Sequence, residues 1–440
     1  EFVKGFTMSE RRWPVVVGAV LIQICLGAIY AWSVFTPALR DAGWTNVQTQ
    51  IVFSVGLASF ALVMVLAGRK LGIWGPRKLS VASALTLGGG YALAALGGGA
   101  EFWIVLVGVG LVGGAGIGLG YVVPIAVGMR WYPDRKGMIT GAAVAGFGFG
   151  ALGWVKLAGE WGNLIDRIGL DGTFLTYGAL FAVLVLAGAV TMRFPPEGWL
   201  PAGFTPPTGA ASGGVEFTPR EMLRTPQFHL ISLTFAVSAG AGLMAIGLMK
   251  SYPVEALVAN GLTTAEASAI AGTAMAVFFS LANGIGRLAW GAASDRIGRK
   301  LSIIVMAAAQ GVLMFAFVGM AGSEYLLYLA AALIGFNYGG NFALFPAITA
   351  DEFGNTAVGA NYPWVFLAYG FGGIIFPILG GWLGDLGNFP LAFAICGGAC
   401  LVGAVAAFLV FPPHHDEAMH RFTLKRFVRN AHLFEDESTA

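Results

Sequence analysis

Apolar residues dominate this chain in long uninterrupted runs rather than in alternating stripes. The runs fall near positions 13–39, 48–68, 78–98, 102–129, 137–159 and 173–193, and after a gap at 228–253, 265–291, 300–321, 325–350, 357–383 and 389–411. About 20 apolar residues in helical geometry cross the hydrocarbon core of a bilayer, so each run predicts one transmembrane helix. The pattern predicts an all-α membrane protein of twelve spans in two six-helix halves, 13–193 and 228–411. Residues 1–12, 194–227 and 412–440 remain as an N-terminal segment, a linker and a tail. No small-residue cleavage pattern follows the first run, so it is expected to be a retained helix rather than a signal peptide. Residues 1 to 7, ahead of Met8, read as an appended segment.

The two halves repeat one another. Gly68 to Lys78 reads GRKLGIWGPRK and Gly291 to Lys300 reads GAASDRIGRK, each closing the second span of its half and opening the third. The same spacing carries the glycines 146, 148 and 150 of span 5 close to glycines 370, 372 and 373 of span 11. A duplicated bundle of this kind predicts a ligand path between the halves near the membrane midplane. The linker is rich in Pro, Gly, Ser and Thr and lacks a long apolar run. In the tail, Leu424, Phe427, Val428, Ala431 and Phe434 recur at helical spacing opposite Arg421, Lys425 and Arg429, which suggests an amphipathic surface helix.

Charge adds orientation. Only 11% of residues are charged, against roughly 25% in soluble domains. Of the 25 Lys and Arg, Arg40 and Arg167 fall on loops of one side and Lys156, Lys250 and Arg287 fall within spans. The rest lie on segments of the other side, so the positive-inside bias puts both termini in the cytoplasm of a cell whose inner membrane the chain spans. The basic residues form no continuous face for nucleic acid. Cys25, Cys396 and Cys400 lie inside spans, where neither disulfides nor metal chelation is expected, and no cofactor or metal is implied. The expected unit is a monomer in the bilayer.

The glycine, acid and basic residues after spans 2 and 8 resemble the loop motif of the major facilitator superfamily. The second copy matches it at Gly291, Asp295, Arg296, Gly298, Arg299 and Lys300; in the first, Gly72 stands where the family usually has aspartate. Four further blocks, RWYPDRKG (130–137), EMLRTPQF (221–228), GRLAWGAASDRIGR (286–299) and ALFP (343–346), resemble the bacterial branch that contains oxalate:formate antiporters and monocarboxylate porters. That resemblance implies a transporter rather than an enzyme, and it implies that Arg287 holds a substrate carboxylate.

Physical reasoning converges on the same arginine. Arg287 lies eight residues before Asp295, which at helical rise places it about 12 Å into the bundle. An arginine at that depth is costly and usually faces a bundle interior or a water cavity. No Asp or Glu lies at comparable depth, so the choice is between an arginine satisfied by backbone carbonyls and one awaiting an anion. Lys156 and Lys250 belong nearer the outer face, where snorkelling explains them. Asn283 is one turn from Arg287, placed to donate an amide hydrogen bond. Tyr30, Tyr121 and Phe147 from the first half, with Asn337, Tyr338, Asn341, Phe342, Tyr362 and Tyr369 from the second, supply rings and hydroxyls for a compact pocket or, alternatively, for helix packing. The predicted substrate contacts are Arg287, Asn283, Tyr338, Phe342, Tyr121, Tyr369 and Tyr30.

Two departures from the family refine the expectation. Oxalate:formate antiporters carry a lysine in span 11 at the place of Tyr369, so this chain offers one internal cation there rather than two. A dicarboxylate would then leave a charge unpaired, and a small monocarboxylate of the lactate or pyruvate type fits better. Animal monocarboxylate transporters have an aspartate where this chain has Asn283. Those transporters are proton-coupled and Asn283 cannot titrate, so proton symport is still expected from the resemblance but without an evident internal carrier. Glu160 and Glu255 are candidates to receive protons, against the plainer reading of solvated surface acids. Organic-anion exchange is the alternative, with a channel and a binding-only sensor behind it. The run GVGLVGGAGIGLG mimics a dinucleotide loop but lies in an apolar span with no strand before it.

Overall fold

The computed structural model describes residues 12–44, 46–158, 162–201, 203–205, 216–249 and 251–412. Lys250, Glu160 and the amphipathic tail lie outside the described residues. The principal helices are α1 (Trp13–Leu26), α2 (Asn46–Ala94), α3 (Gly114–Trp131), α4 (Lys136–Ala158) and α5 (Leu164–Ala189) in the first half. The second half contributes α6 (Pro226–Leu248), α7 (Ser280–Ile297), α8 (Arg299–Met320), α9 (Glu324–Phe353), α10 (Val358–Asp385) and α11 (Phe389–Phe408).

Among the described residues, 11 helical stretches are long and apolar enough to span a membrane. The difference from twelve runs has a local cause. α2 holds the second and third spans, joined through Gly75, whose φ of 79° and ψ of 162° turn the chain back without ending the hydrogen-bonded run. Its counterpart, Gly298, has φ 90° and ψ 152° between α7 and α8. Positions 75 and 298 differ by 223, the offset that also relates Gly68 to Gly291. Both turns use a left-handed φ that a side chain would strain, so the sequence repeat is also a repeat of backbone geometry.

Lipid supplies no hydrophobic drive between helices, so close backbone approach and van der Waals contact hold the bundle. Glycines make that approach. Gly88 faces Gly178 where α2 meets α5, and Gly108 faces Gly90 where the π-helical segment Leu106–Gly113 meets α2. Helix starts are capped in the expected way: Thr225 accepts the Phe228 N–H ahead of Pro226, and Thr263 forms a capping box with Glu266.

The halves meet along two seams, α4 against α7 and α9, and α2 with α3 against α10. The seams are pseudo-symmetric at the end bearing the two glycine turns, called the loop end below. Gly291 packs on the Gly137 carbonyl, and Gly68 packs on the Gly359 carbonyl.

The charges on the two seams differ. Asp295 accepts the backbone N–H of Gly137 at 2.9 Å and of Met138 at 2.7 Å, capping α4 from the opposite half. Arg299 joins Asp295 to Asp351, and Asp351 also pairs with Lys136 across the seam at 2.9 Å. Gly291, Asp295, Gly298 and Arg299 thus form one construction, whereas Arg296 is exposed and outside it. On the other seam Gly72 has no carboxylate to offer. The start of α10 is instead capped by Glu216 of the linker, which accepts the N–H groups of Thr356 and Ala357 at 2.8 and 2.9 Å. Arg130 of α3 donates to the Thr356 carbonyl at 2.7 Å.

Candidate functional site

α7 begins directly after a π-helical segment, Ala274–Phe279, a local widening often found beside functional positions. Its inward face is Asn283, Gly284, Arg287 and Gly291, all buried. Two glycines of α4 explain how a guanidinium fits there. Gly141 sits against the Arg287 carbonyl and Gly148 lies 3.2 Å from the Gly284 Cα and 3.4 Å from Arg287 Nε, measured from the position a Cβ would take. Without side chains at these positions, α4 approaches until the Val144 carbonyl accepts Arg287 Nη1–H at 3.0 Å.

Arg287 is 0% exposed. Its Nε donates to Asn283 Oδ1 at 3.1 Å, and its guanidinium carbon lies 4.2 Å from the Phe342 ring centre and 5.5 Å from that of Phe147. These contacts satisfy part of the group and add cation–π attraction. Nη2 has no hydrogen-bond partner, and among the described residues Arg287 has no ion pair. Both alternatives left by the sequence are thus present in one side chain: a backbone carbonyl holds one nitrogen while another remains unmatched. Asn283 has a second task beside the donor role expected of it. Its carbonyl oxygen orients the arginine, which leaves the amide as its remaining donor.

The other predicted residues assemble around this cation. The Tyr30 hydroxyl is 2.8 Å from that of Tyr369 and 3.3 Å from that of Tyr338, joining α10 and α9 to the 3-10 segment Gly27–Val34 of the first half. Tyr338 and Tyr369 each lie edge-on to Phe342, at centroid distances of 5.3 and 5.5 Å. Tyr121 meets Phe147 edge-on at 5.5 Å. The structure thus brings all seven predicted residues into one cluster.

Phe60 and Phe366, which sequence reasoning missed, complete the wall. They lie 5.1 Å from one another across the α2–α10 seam, and each packs against Tyr121. One phenylalanine among the chain's 33 carries no local signal. Lys156 and the half-exposed Glu255 are not among the residues described around Arg287.

A two-seamed helical bundle with a buried cation and an aromatic cage where its halves meet defines a membrane carrier rather than an enzyme. The family model of the major facilitator superfamily matches residues 254–429 of the chain. The oxalate:formate antiporter of Oxalobacter formigenes is 26% identical over 427 residues, 95% of this chain and 93% of that protein. Apicoplast pyruvate carrier 1 of Toxoplasma gondii is 25% identical, over 82% of each chain. These relatives support the oxalate:formate and monocarboxylate branch. Among solved structures, the Escherichia coli fucose:proton symporter superposes with a TM-score of 0.64 over 90% of this chain and 98% of that one, at 16% identity, a likeness of fold.

Proposed function

We propose that this transporter carries a small monocarboxylate of the lactate or pyruvate type across the cytoplasmic membrane, as a monomer working by alternating access. The observation that carries the reading is Arg287: a fully buried guanidinium with an unmatched Nη2 and no ion-pair partner among the described residues. A carboxylate supplies one negative charge and paired acceptor oxygens, which the guanidinium recognises in charge-assisted geometry. Tyr369 is a neutral phenol where a second cation would serve a dianion, so one charge is matched and a second is not. The names of the antiporter and the pyruvate carrier agree with a small organic acid as cargo.

The contacts between the halves described above run from the loop end to the level of Tyr30. They support a conformation closed at the loop end, which the positive-inside bias assigns to the cytoplasm. Substrate would then enter from the opposite end past the half-buried Tyr30. Neutralising Arg287 within the aromatic cage would let the loaded carrier reorient. Coupling is proposed to be proton symport, the proton travelling with the acid, since no acid pairs with Arg287 among the described residues. The resemblance to an oxalate:formate antiporter favours exchange as the second reading.

Proteoliposomes test both. L-lactate, pyruvate, formate and oxalate are offered in labelled form with intravesicular pH recorded. Uptake of a monocarboxylate with acidification of the lumen, collapsed by protonophore, is expected. Uptake that ignores protonophore and requires an internal anion would establish exchange, and preference for oxalate would reject the single-cation account.

A further inference from the structure

Three polar atoms meet beside Phe366 and Phe147, and none has a hydrogen-bond partner. They are Arg287 Nη2, the Tyr121 hydroxyl and the Tyr362 hydroxyl, each without accessible surface. Their parent residues are 0%, 1% and 0% exposed. The three are neighbours through shared rings: Tyr121 and Tyr362 lie 5.3 and 5.8 Å from Phe366, and Tyr121 and the Arg287 guanidinium carbon each lie 5.5 Å from Phe147. All three can donate, and a phenol can also accept. Yet no hydrogen bond of ordinary geometry forms among them.

A buried polar group left unpaired is destabilising, and although other unpaired polar atoms such as those of Gln227 and Gln310 are buried elsewhere in the bundle, these three stand together at the seam. Three at one point, one of them permanently cationic, describe a socket for an oxygen that can accept from all sides. Packing alone would have served as well with phenylalanine at 121 and 362, as it does at the adjoining Phe60 and Phe366.

We infer that Tyr362 is a substrate-binding residue, and that its hydroxyl, the Tyr121 hydroxyl and Arg287 Nη2 together hold the carboxylate oxygens of the cargo. This rests on the carboxylate reading of Arg287 and adds to it a residue and a geometry. Tyr121 belongs to α3 in the first half, while Arg287 and Tyr362 belong to α7 and α10 in the second. The bound carboxylate therefore bridges the halves, so that affinity and closure share the same contacts. Tyr362 is on the loop-end side of Tyr369, two turns along the same helix. The carboxylate accordingly points toward the loop end, and the remainder of the acid points toward the Tyr30, Tyr338 and Tyr369 hydroxyls. An acid carrying a 2-hydroxyl or 2-oxo group is the class that uses both ends.

The test compares wild type, Tyr362→Phe, Tyr121→Phe and Arg287→Lys as purified full-length carriers. Dissociation constants for L-lactate and pyruvate are measured together with the melting temperature without ligand. Each phenylalanine variant is expected to weaken binding about tenfold, the loss of one hydrogen bond to a charged group. Its ligand-free melting temperature should stay level or rise, because an unmatched hydroxyl has been removed from an apolar setting. Unchanged affinity in Tyr362→Phe, with Arg287→Lys strongly impaired, overturns this inference and leaves the carboxylate reading standing. Weakened affinity with a lowered ligand-free melting temperature also overturns it, by making Tyr362 structural. Normal binding by Arg287→Lys overturns the carboxylate reading itself.

Discussion

Replacing Asp295 with Asn should open the loop end of the carrier. The carboxylate accepts two backbone N–H bonds from the start of α4, at 2.9 and 2.7 Å, while paired with Arg299. A carboxamide keeps one acceptor oxygen and turns its NH2 toward the remaining amide, donor against donor. Charge-assisted bonds contribute about 1.5–3 kcal/mol and neutral ones about 1. Losing one and weakening the other removes ~2–4 kcal/mol from a contact that exists only while the halves are together at this end. At 1.4 kcal/mol per decade, the population parted at the loop end should rise ~30- to ~700-fold relative to the closed one. Spin labels at Ile73→Cys and Ile297→Cys, exposed positions of the two loops, report the separation by pulsed electron resonance. The native Cys25, Cys396 and Cys400 are buried and can be replaced in the background. Asp295→Asn should add a longer distance that Arg296→Ala, an exposed neighbour, does not. Identical distance distributions in the two variants would refute the reasoning.

Other perturbations read other parts of the molecule. Arg287→Lys should reduce L-lactate uptake at least a hundredfold, because an ammonium cannot reproduce the fork held by Asn283 and Val144; near-normal initial rates would remove Arg287 from the site. Tyr369→Lys places a second cation beside Tyr30 and should make oxalate an effective competitor of L-lactate uptake; no change in inhibition constant would show that charge count does not set selectivity. Gly141→Val would push side-chain atoms into the Arg287 carbonyl, and should lower both stability and uptake; wild-type values for both would show that the α4–α7 approach is slack. Glu216→Gln should lower the melting temperature by the equivalent of about 1 kcal/mol for a weakened helix cap, with uptake changed only a few-fold; a loss as large as that of Arg287→Lys would mean that the cap works in transport.

The spans, the internal duplication and Arg287 could be read in the sequence because each is a departure from a uniform background. A run of apolar residues, a repeated GxxxD/GxxGRK-like loop and a cation at membrane depth are all visible one position at a time. The Val144 carbonyl is not, since every residue has one; what selects it is the absence of side chains at Gly141 and Gly148. Phe60 and Phe366 were hidden for a similar reason, being common residues whose meaning comes from meeting across a seam. Helical spacing puts Asn283 one turn from Arg287, but the direction of its amide depends on which partner claims the oxygen. The joined second and third spans show the same limit: Gly75 turns the chain by its φ, and helical hydrogen bonding continues on both sides.

The capping of α4 and α10 makes the two seams mechanically unequal. Asp295 and the amides it holds belong to opposite halves, so this bond must break whenever the loop end parts. Glu216 and the amides it holds lie on the linker and the second half, so they can travel together and stay bonded throughout a cycle. In alternating access the first seam would behave as a clasp, undone and remade at each turnover, whereas at the second the Glu216 cap stays whole and the Arg130 bond to the Thr356 carbonyl is what has to part. Because Gly72 offers no carboxylate, the second seam lacks the pair of amide bonds that Asp295 holds on the first, and parting the loop end would break fewer bonds than two matched seams would require.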